Sequence, residues 1–391
     1  MDRVLEIFLE ITKLPHCSGD TLAIREYIKN HAKKLSYKIK EDSAHNLLAY
    51  KKEPKLSFQS HMDMVCVGKA PNIKTIIKDG WIEAKDSSLG ADNGIGIAIM
   101  LYLMENYDNL EFLFTNDEEI GLIGAFNLEL PLQSKYLINL DSEDENIYIG
   151  CAGGVEANIT YPIKKEKKKG FIFDIEITNL PGGHSGVDID KDIPNAIKLL
   201  SHKVDSITNF SGGERINSIP TSAFAKEFRE SKYGKEVELF SKDYIEFIRS
   251  LPNGVISYDK EFNVVSQSIN LALVNNENIH LYLRANSNEE LEELKKLINK
   301  LPLINIKYSN QYPAWKPKVT KLAKIFKEIS KSNYKVIHAG LECSILTSKY
   351  PNIEIISVGP IIQNPHSIRE RVKIESIATL LKNLEKLIET I

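Results

Sequence analysis

The chain has 391 residues, of which 42% are hydrophobic and 26% charged, a composition typical of a globular protein with room for two domains. Its 50 basic and 53 acidic residues leave a net charge of −3, which offers no positive field for nucleic acid or an anionic membrane. No stretch approaches the roughly 18 apolar residues of a membrane span, and the acidic N-terminus does not fit a secretory signal.

Helices and strands alternate along the first 140 residues. Apolar residues at helical spacing predict helices at 1–35 (interrupted at Ser18–Thr21), 94–104 and 121–126. Short apolar runs predict strands at 45–50, 56–60, 110–114 and 136–140. This alternation predicts an α/β sheet, in which ligands bind outside the carboxyl ends of the strands.

The middle of the chain follows a different pattern. The lysine-rich run at 164–170 is read as a solvated turn or linker, with a basic patch as the weaker alternative. Beyond it, strands are predicted at 171–177, 222–228, 263–274 and 279–285, with helices at 194–204 and 288–300. Helix, strand and helix then return at 318–331, 353–358 and 374–389. We therefore predict an α/β domain formed by 1–164 and 313–391, with an α+β domain inserted at 165–312.

Acidic and histidine-bearing segments follow the predicted strands of the first domain. His61 and Asp63 are two apart on an extended segment, so a metal-bound His61 could be oriented by Asp63. Asp92 is a helix cap by default, but its two oxygens could also bridge two cations. Glu118 and Glu119 diverge at a strand end, which suits one for binding metal and the other for moving protons, and Asp141 ends the next strand. The alternative reading is a set of solvated acidic turns.

Two further histidines are candidates on local grounds. His184 stands in the glycine-rich loop Leu180–Gly186, where it could stabilise charge in a transition state or belong to a plain turn. His366 follows Pro365 and is either a surface residue or the second imidazole that a metal site would need. Imidazole and carboxylate ligands together suit Zn²⁺, Mn²⁺ or Co²⁺.

The four cysteines, Cys17, Cys66, Cys151 and Cys343, form no CxxC pair and no disulfide framework. They predict a reduced, cytoplasmic protein. Cys66 and Cys151 lie near the acidic segments, and we read both as small buried thiols.

In their order along the chain, these motifs resemble the M20 metallopeptidase family of di-zinc amino- and carboxypeptidases. The shared motifs are His61-x-Asp63, Ala91-Asp92-Asn93-Gly94, Asp117-Glu118-Glu119-x-Gly121, the strand end at Asp141 and Gly182-Gly183-His184-Ser185-Gly186. Within the family the chain resembles the cytosolic Xaa-His dipeptidases, through Gly90–Gly96, Tyr312–Trp315 and His338–Cys343.

The resemblance implies a role for each site residue. Asp92 would bridge two metals, with His61 and Asp141 on one and Glu119 and His366 on the other. Glu118 would be the general base, and Asp63, counted with the catalytic residues, would orient His61. His184 would polarise the scissile carbonyl, in this family often across a dimer. The expected substrate-binding residues are Asn217 and Arg284, for the substrate carboxylate, and Glu342.

The sequence therefore predicts a metal-dependent dipeptidase that cleaves Xaa-His or similar dipeptides, uses two divalent ions and forms a homodimer through the inserted lid domain. Zinc is the first choice of metal, with cobalt or manganese as alternatives. One rival is an N-acyl amino acid deacylase on the same site. The other is an inactive metal-binding scaffold, against which Glu118 argues because a scaffold needs no unliganded base.

Overall fold

The structure, a computed structural model, describes residues 1–302 and 305–391, which fold as two compact units. The first comprises Met1–Ile149, Pro317–Lys335 and Leu341–Ile391, and the second comprises Gly150–Lys316 and Val336–Gly340. The second unit begins ahead of residue 165, where the sequence placed the boundary, because Gly153–Thr160 is a strand that pairs with Asn278–Ala285.

The elements of the described residues are numbered here in chain order. The helices are α1 (Asp2–Ile11), α2 (Leu22–Lys34), α3 (Ala91–Asn106), α4 (Ile123–Phe126), α5 (Ala196–Ser201), α6 (Lys242–Ser250), α7 (Asn288–Ile298), α8 (Lys321–Ser330), α9 (Glu342–Lys349) and α10 (Ile374–Thr390). The strands are β1 (Lys38–Glu41), β2 (Leu47–Tyr50), β3 (Leu56–His61), β4 (Thr75–Lys78), β5 (Trp81–Ala84), β6 (Leu110–Thr115), β7 (Tyr136–Asn139), β8 (Ile147–Cys151), β9 (Gly153–Thr160), β10 (Lys165–Ile177), β11 (Gly183–His184), β12 (Ile207–Gly212), β13 (Ser218–Ile219), β14 (Ala223–Glu230), β15 (Lys235–Phe240), β16 (Gly254–Asp259), β17 (Val264–Asn275), β18 (Asn278–Ala285), β19 (Asn305–Tyr312), β20 (Tyr334–Ile337), β21 (Glu354–Ser357), β22 (Ile362–Gln363) and β23 (Arg371–Lys373).

An eight-stranded mixed sheet runs in the order β1-β2-β6-β3-β7-β21-β8-β20. Its central strands β6, β3, β7 and β21 are parallel, so their carboxyl ends lie at one edge. Every residue of β3 and of β6 is buried, as expected for strands covered on both faces. The predicted α/β architecture of this part is confirmed.

Helices of the first unit cover this sheet. In α1, Val4, Ile7, Phe8 and Ile11 are fully buried, which confirms the amphipathic pattern read from the sequence. Helix α3 is apolar on nearly all sides and is buried from Gly94 to Leu101. Packed this way, α3 holds its first turn, which contains Asp92, at the edge where the parallel strands end.

The second unit is built on a nine-stranded antiparallel sheet in which β15-β10-β14-β12-β17-β18-β9-β19 form the main order and β16 pairs with β17. Helices α5, α6 and α7 bury Ile197, Tyr244 and Leu291 in its core. This confirms α+β character for the middle of the chain.

The lysine-rich run at 164–170 was predicted wrongly as a turn or linker. Lys165–Lys169 opens strand β10 and pairs antiparallel with β15 near the edge of the sheet. Between the two strands, Lys165 Nζ lies 3.6 Å from Glu238 Oε2, and Lys167 Nζ lies 3.7 Å from Glu236 Oε1. Glutamates on β15 therefore stabilise the row of lysines on β10. The sequence of the lysine run alone does not show that an acidic strand pairs with it.

The expectation for the cysteines was wrong at one pair. Cys17 and Cys66 form a disulfide, so Cys66 is not a thiol. The sequence missed it because the two residues are separated by 49 positions and meet only when the segment after α1 packs beside Met64. Cys151 is buried, as predicted. Among the described residues, no helix is long and apolar enough to cross a bilayer.

Candidate metal centre

The five residues predicted as metal ligands come together in the first unit. His61 ends β3, Glu119 follows β6, and Asp141 follows β7, so three parallel strands bring them to one edge of the sheet. Asp92 lies in the first turn of α3, and His366 lies on the loop between β22 and β23. The ligand atoms form two groups, His61–Asp92–Asp141 and Asp92–Glu119–His366, each with all atoms within 4.8 Å of one another.

Asp92 belongs to both groups, with one oxygen facing each histidine. Its Oδ1 lies 3.1 Å from His61 Nε2, and its Oδ2 lies 3.1 Å from His366 Nε2. The first group is completed by Asp141 Oδ1, 3.2 Å from His61 Nε2, and the second by Glu119 Oε1, 2.7 Å from His366 Nε2. A carboxylate that presents its two oxygens to two separate ligand groups has the geometry of a bridge between two cations.

Two details of the donor atoms fit metal ions. Glu119 Oε1 is buried and makes no directed hydrogen bond among the described residues, although His366 Nε2 is only 2.7 Å away. This arrangement is expected where the lone pairs of Glu119 Oε1 and His366 Nε2 both point at the position of a shared metal ion. His61 Nδ1 lies 2.9 Å from the main-chain oxygen of Asp63 and donates to it, which leaves the Nε2 lone pair directed into the site.

The charge balance also favours cations. Five carboxylates surround two imidazoles here, those of Asp63, Asp92, Glu118, Glu119 and Asp141. Burial alone would lower the pKa of His366, but the adjacent Asp92 and Glu119 carboxylates raise it to about 11. Such crowded negative charge, with imidazole and carboxylate donors, fits a pair of divalent ions of the zinc, manganese or cobalt type.

Asp63 has a different set of contacts from those expected. Its side chain is wholly buried, and its carboxylate lies 3.6 Å from His61 Nδ1, farther than its own main-chain oxygen. The carboxylate instead accepts the backbone N–H groups of Glu118, at 2.9 Å, and Glu119, at 3.2 Å, as well as the Ser18 hydroxyl at 2.8 Å. Asp63 therefore orients His61 through its backbone and fixes the Glu118–Glu119 segment through its side chain.

Glu118 belongs to neither of these two groups, although one of its oxygens lies within 4.8 Å of ligand atoms of both His61 and Glu119. Burial, reinforced by the carboxylates of Asp141, Glu119 and Glu342, raises its pKa well above the usual value, against the opposing effect of His61. A raised proton affinity next to two cation sites suits a group that takes a proton from water and later gives it up.

Glu342 is fully buried under the strand ends. Its Oε2 accepts Gln59 Nε2 at 2.6 Å and Thr115 Oγ1 at 2.7 Å, and Asn139 Nδ2 donates in turn to Gln59 Oε1 at 2.6 Å. Its Oε1 is buried without a hydrogen-bond partner in the described part of the chain. Burial raises the pKa of Glu342 to about 7, although the hydrogen bonds from Thr115 and Gln59 oppose this.

The second unit carries His184, Asn217 and Arg284. His184 Nδ1 accepts the backbone N–H groups of Gly186, at 3.2 Å, and Val187, at 3.1 Å, so its proton lies on Nε2. Burial and the charge of Arg284 lower the pKa of His184 to about 4, which keeps the ring neutral. Its Nε2–H is therefore available as a donor.

Arg284 is nearly buried, donates from Nη1 to Tyr312 Oη at 2.7 Å, and stacks on Tyr282 with 4.3 Å from its guanidinium carbon to the ring centre. Its Nε has no hydrogen-bond partner among the described residues. Asn217 is exposed, and its backbone oxygen accepts the Ser185 N–H. The buried guanidinium therefore keeps one N–H without a partner among the described residues, while Asn217 is exposed to solvent.

Sequence reasoning missed three supporting contacts at the metal centre. Asn93 Nδ2 donates to Asp141 Oδ1 at 2.6 Å. Glu370 accepts backbone N–H groups at the start of α3, and the Cys17–Cys66 disulfide flanks Ser18. The only sequence signals were the Asp-Asn pair at 92–93 and the spacing of four residues between His366 and Glu370.

Several known proteins similar to this chain are peptidases. It is 32% identical to the cytosol non-specific dipeptidase of Escherichia coli (strain K12), with 97% of this chain and 96% of that protein covered. In structure it is similar to the aminoacylhistidine dipeptidase from Vibrio alginolyticus, with a TM-score of 0.86, 28% identity, and 100% and 96% of the two chains covered. An M20 family metallo-carboxypeptidase from Sulfolobus solfataricus shares the fold at a TM-score of 0.56 and 16% identity, with 100% and 99% covered. No protein-family model matches the chain.

Proposed function

Because the chain belongs to the M20 family of metallopeptidases, we propose that it cleaves dipeptides, Xaa-His or similar, at a centre that holds two divalent ions. It is a hydrolase that acts on peptide bonds. The observation that carries the proposal is Asp92, whose two oxygens lie 3.1 Å from two different imidazoles.

The ligand assignment follows from the two groups of atoms. His61 and Asp141 would hold one ion, Glu119 and His366 would hold the other, and Asp92 would bridge them, with zinc as the first choice of metal. Bound divalent ions would lower the pKa of a water molecule and stabilise the negative charge that develops on the substrate carbonyl oxygen.

Glu118 would be the general base. It would accept the proton of the attacking water and pass it to the leaving amine, since its carboxyl lies beside both ligand groups and its pKa is raised. Asp63 supports this step because it accepts the backbone N–H of Glu118 and of Glu119, which fixes the base relative to the ligand.

The second unit would contribute substrate recognition. The neutral His184, with its proton on Nε2, would donate to the scissile carbonyl oxygen, and Arg284 and Asn217 would bind the substrate carboxylate. We also propose that this unit serves as a lid and forms a homodimer, and that the first unit, which the sequence placed at 1–164 and 313–391, acts as the catalytic domain.

A cytoplasmic location is proposed from the E. coli relative, which is named as a cytosol enzyme. The cytosol keeps most thiols reduced, so the Cys17–Cys66 disulfide of the structure would be an exception there. Thiol labelling of freshly opened cells would measure this directly.

The test is hydrolysis by the protein with and without added Zn²⁺, Mn²⁺ or Co²⁺, using free dipeptides and matched N-acetyl amino acids. We expect metal-dependent turnover of dipeptides, including Xaa-His. Preference for the acylated amino acids would instead assign a deacylase on the same centre, and no turnover of either class would contradict the proposal.

Two adjacent variants separate base from ligand. Glu118→Gln should retain both ions and lose most turnover, by about 100-fold or more, because an amide cannot accept the proton of water. Glu119→Gln should lose metal affinity first. Elemental analysis after removal of excess metal provides the comparison, and near-normal turnover in Glu118→Gln would exclude the assigned base.

A further inference from the structure

One buried carboxylate, that of Glu370, accepts four consecutive backbone N–H groups. Its Oε2 accepts those of Leu89, at 2.7 Å, and Gly90, at 3.0 Å. Its Oε1 accepts those of Ala91, at 2.7 Å, and Asp92, at 3.2 Å. The residue is only 2% exposed. Two of these N–H groups directly precede α3, and two belong to its first residues, which have no N–H partner within the helix, so a carboxylate from a distant segment caps it.

The capped segment fits closely against its surroundings. Gly90 has a φ of +72°, which favours glycine, and a Cβ there would lie 2.8 Å from Met64 Sδ. The backbone just before Asp92 is therefore packed closely against Met64 and hydrogen-bonded to the Glu370 carboxylate.

Glu370 also belongs to the loop that carries His366. Within that loop the Glu370 N–H donates to the Ser367 backbone oxygen at 3.1 Å, and the Ser367 hydroxyl donates to the Asn364 oxygen at 2.8 Å. The loop is thus closed by its own hydrogen bonds. One side chain therefore joins the segments of two ligands, Asp92 and His366, that are 274 positions apart in sequence.

We propose that Glu370 is a positioning residue that sets the place of His366 relative to Asp92. It would thereby govern the affinity of the ion held by Asp92, Glu119 and His366, while the ion at His61 and Asp141 depends on it less. The inference rests on the proposed function, in that the His366 group is taken to bind a metal.

The chain offers a matched control in Glu111. This carboxylate is also fully buried, and it accepts the Ser57 hydroxyl at 2.6 Å and the backbone N–H groups of Gln133, at 3.0 Å, and Ser134, at 2.9 Å. It lies on β6 and contacts none of the predicted metal ligands. Glu111→Gln therefore removes a comparable buried carboxylate without disturbing the segments of Asp92 and His366.

In Glu370→Gln the side-chain NH₂ would oppose two of the four N–H donors. We expect one of the two Zn²⁺ affinities, measured by titrating apoprotein against a competing chelator, to fall about tenfold or more, the range that supporting contacts of metal ligands show. The other affinity should stay within about threefold, as should both affinities in Glu111→Gln. Amide hydrogen exchange at residues 89–92 should accelerate in Glu370→Gln alone.

Several outcomes would overturn the inference. Unchanged Zn²⁺ affinities together with faster amide exchange at residues 89–92 would show that the Glu370 cap has no effect on metal binding. Equal losses in Glu370→Gln and Glu111→Gln would show general destabilisation. If Glu370→Gln does not fold, Glu370→Asp keeps the charge on a shorter side chain, and unchanged affinities there would equally refute the role. Wild-type protein that binds fewer than two ions would instead contradict the proposed function.

Discussion

Replacement of Asp63 by Asn tests whether its carboxylate supports the base or the ligand His61. In the structure Oδ1 accepts the Glu118 N–H, and Oδ2 accepts the Glu119 N–H and the Ser18 hydroxyl. An Asn side chain keeps a single acceptor oxygen. In the favourable orientation the Asn oxygen takes the place of Oδ2 and keeps the hydrogen bonds from the Glu119 N–H and the Ser18 hydroxyl. The NH₂ group then faces the Glu118 N–H, which is left without an acceptor.

The expected size of the effect follows from these contacts. A buried N–H without an acceptor costs about 1–3 kcal/mol, and the remaining hydrogen bonds lose the roughly 1 kcal/mol that a charged acceptor adds. The sum is about 2–4 kcal/mol, and since ~1.4 kcal/mol corresponds to tenfold, kcat/KM should fall by about 30- to 700-fold.

The assay is dipeptide hydrolysis at saturating metal, combined with elemental analysis of the same samples. Asp63→Asn should keep its metal at His61, because His61 Nδ1 pairs with the main-chain oxygen at residue 63, which the variant retains. Ser18→Ala, which removes one donor and leaves both backbone contacts, should change kcat/KM by less than about fivefold.

Two results would refute this reasoning. Turnover of Asp63→Asn within about threefold of wild type would show that the contacts of the Asp63 carboxylate with Glu118 and Glu119 do not contribute to catalysis. Loss of metal in step with the loss of turnover would show that the carboxylate acts on His61, as the resemblance had implied.

Two further predictions concern the second unit. His184→Ala should keep its metal content and lower kcat about 100-fold with little change in KM, because the Nε2–H donor acts on charge that develops in the transition state. If His184 serves a neighbouring subunit, mixing His184→Ala chains with Glu118→Gln chains should restore part of the turnover. No recovery in subunits that exchange would contradict a shared site. Burial, aided by Arg284 and His184, lowers the pKa of His338 from 6.5 to about 3, so the ring stays neutral in the folded state. The stability that the neutral ring contributes is present above pH 6.5, and it is lost as the pH falls below 6.5 because the unfolded state then takes up a proton. The unfolding free energy of wild type should therefore fall by about 2 kcal/mol more than that of His338→Gln between pH 6.5 and 5, measured by urea titration, and parallel curves would exclude this contribution.

The sequence was a good guide to the strands that carry the ligands. Apolar runs ending in His61, Glu119 and Asp141 predicted both the strands and their shared edge, because parallel strands bring their carboxyl ends together. These signals are local, since each of the three residues lies at the end of its strand or within four residues after it.

Contacts between distant segments were not predictable in the same way. The Cys17–Cys66 disulfide, the β10–β15 pairing and the Glu370 cap each join residues whose own neighbours give no sign of a partner. Charged residues such as Lys165 and Glu370 look the same in a sequence whether they face solvent, an opposite charge or backbone N–H groups. Only the fold decides which partner they meet, and this is why the supporting contacts were missed while the clustering of the proposed ligands was predicted.

Glu342 shows how such a contact can connect the strands that carry the proposed ligands. Predicted from the resemblance to bind substrate, it is wholly buried, and its known contacts are with Gln59 of β3 and Thr115 of β6, while Asn139 of β7 reaches it through Gln59. Each of these side chains lies two to four residues before a proposed ligand, so a single acid from α9 joins the three strands just below the metal centre. A hydrophobic residue could fill the same space but could not hold three polar strand ends in register. The burial cost of this carboxyl, visible in its raised pKa, is therefore best explained by the alignment of the ligand-bearing strands.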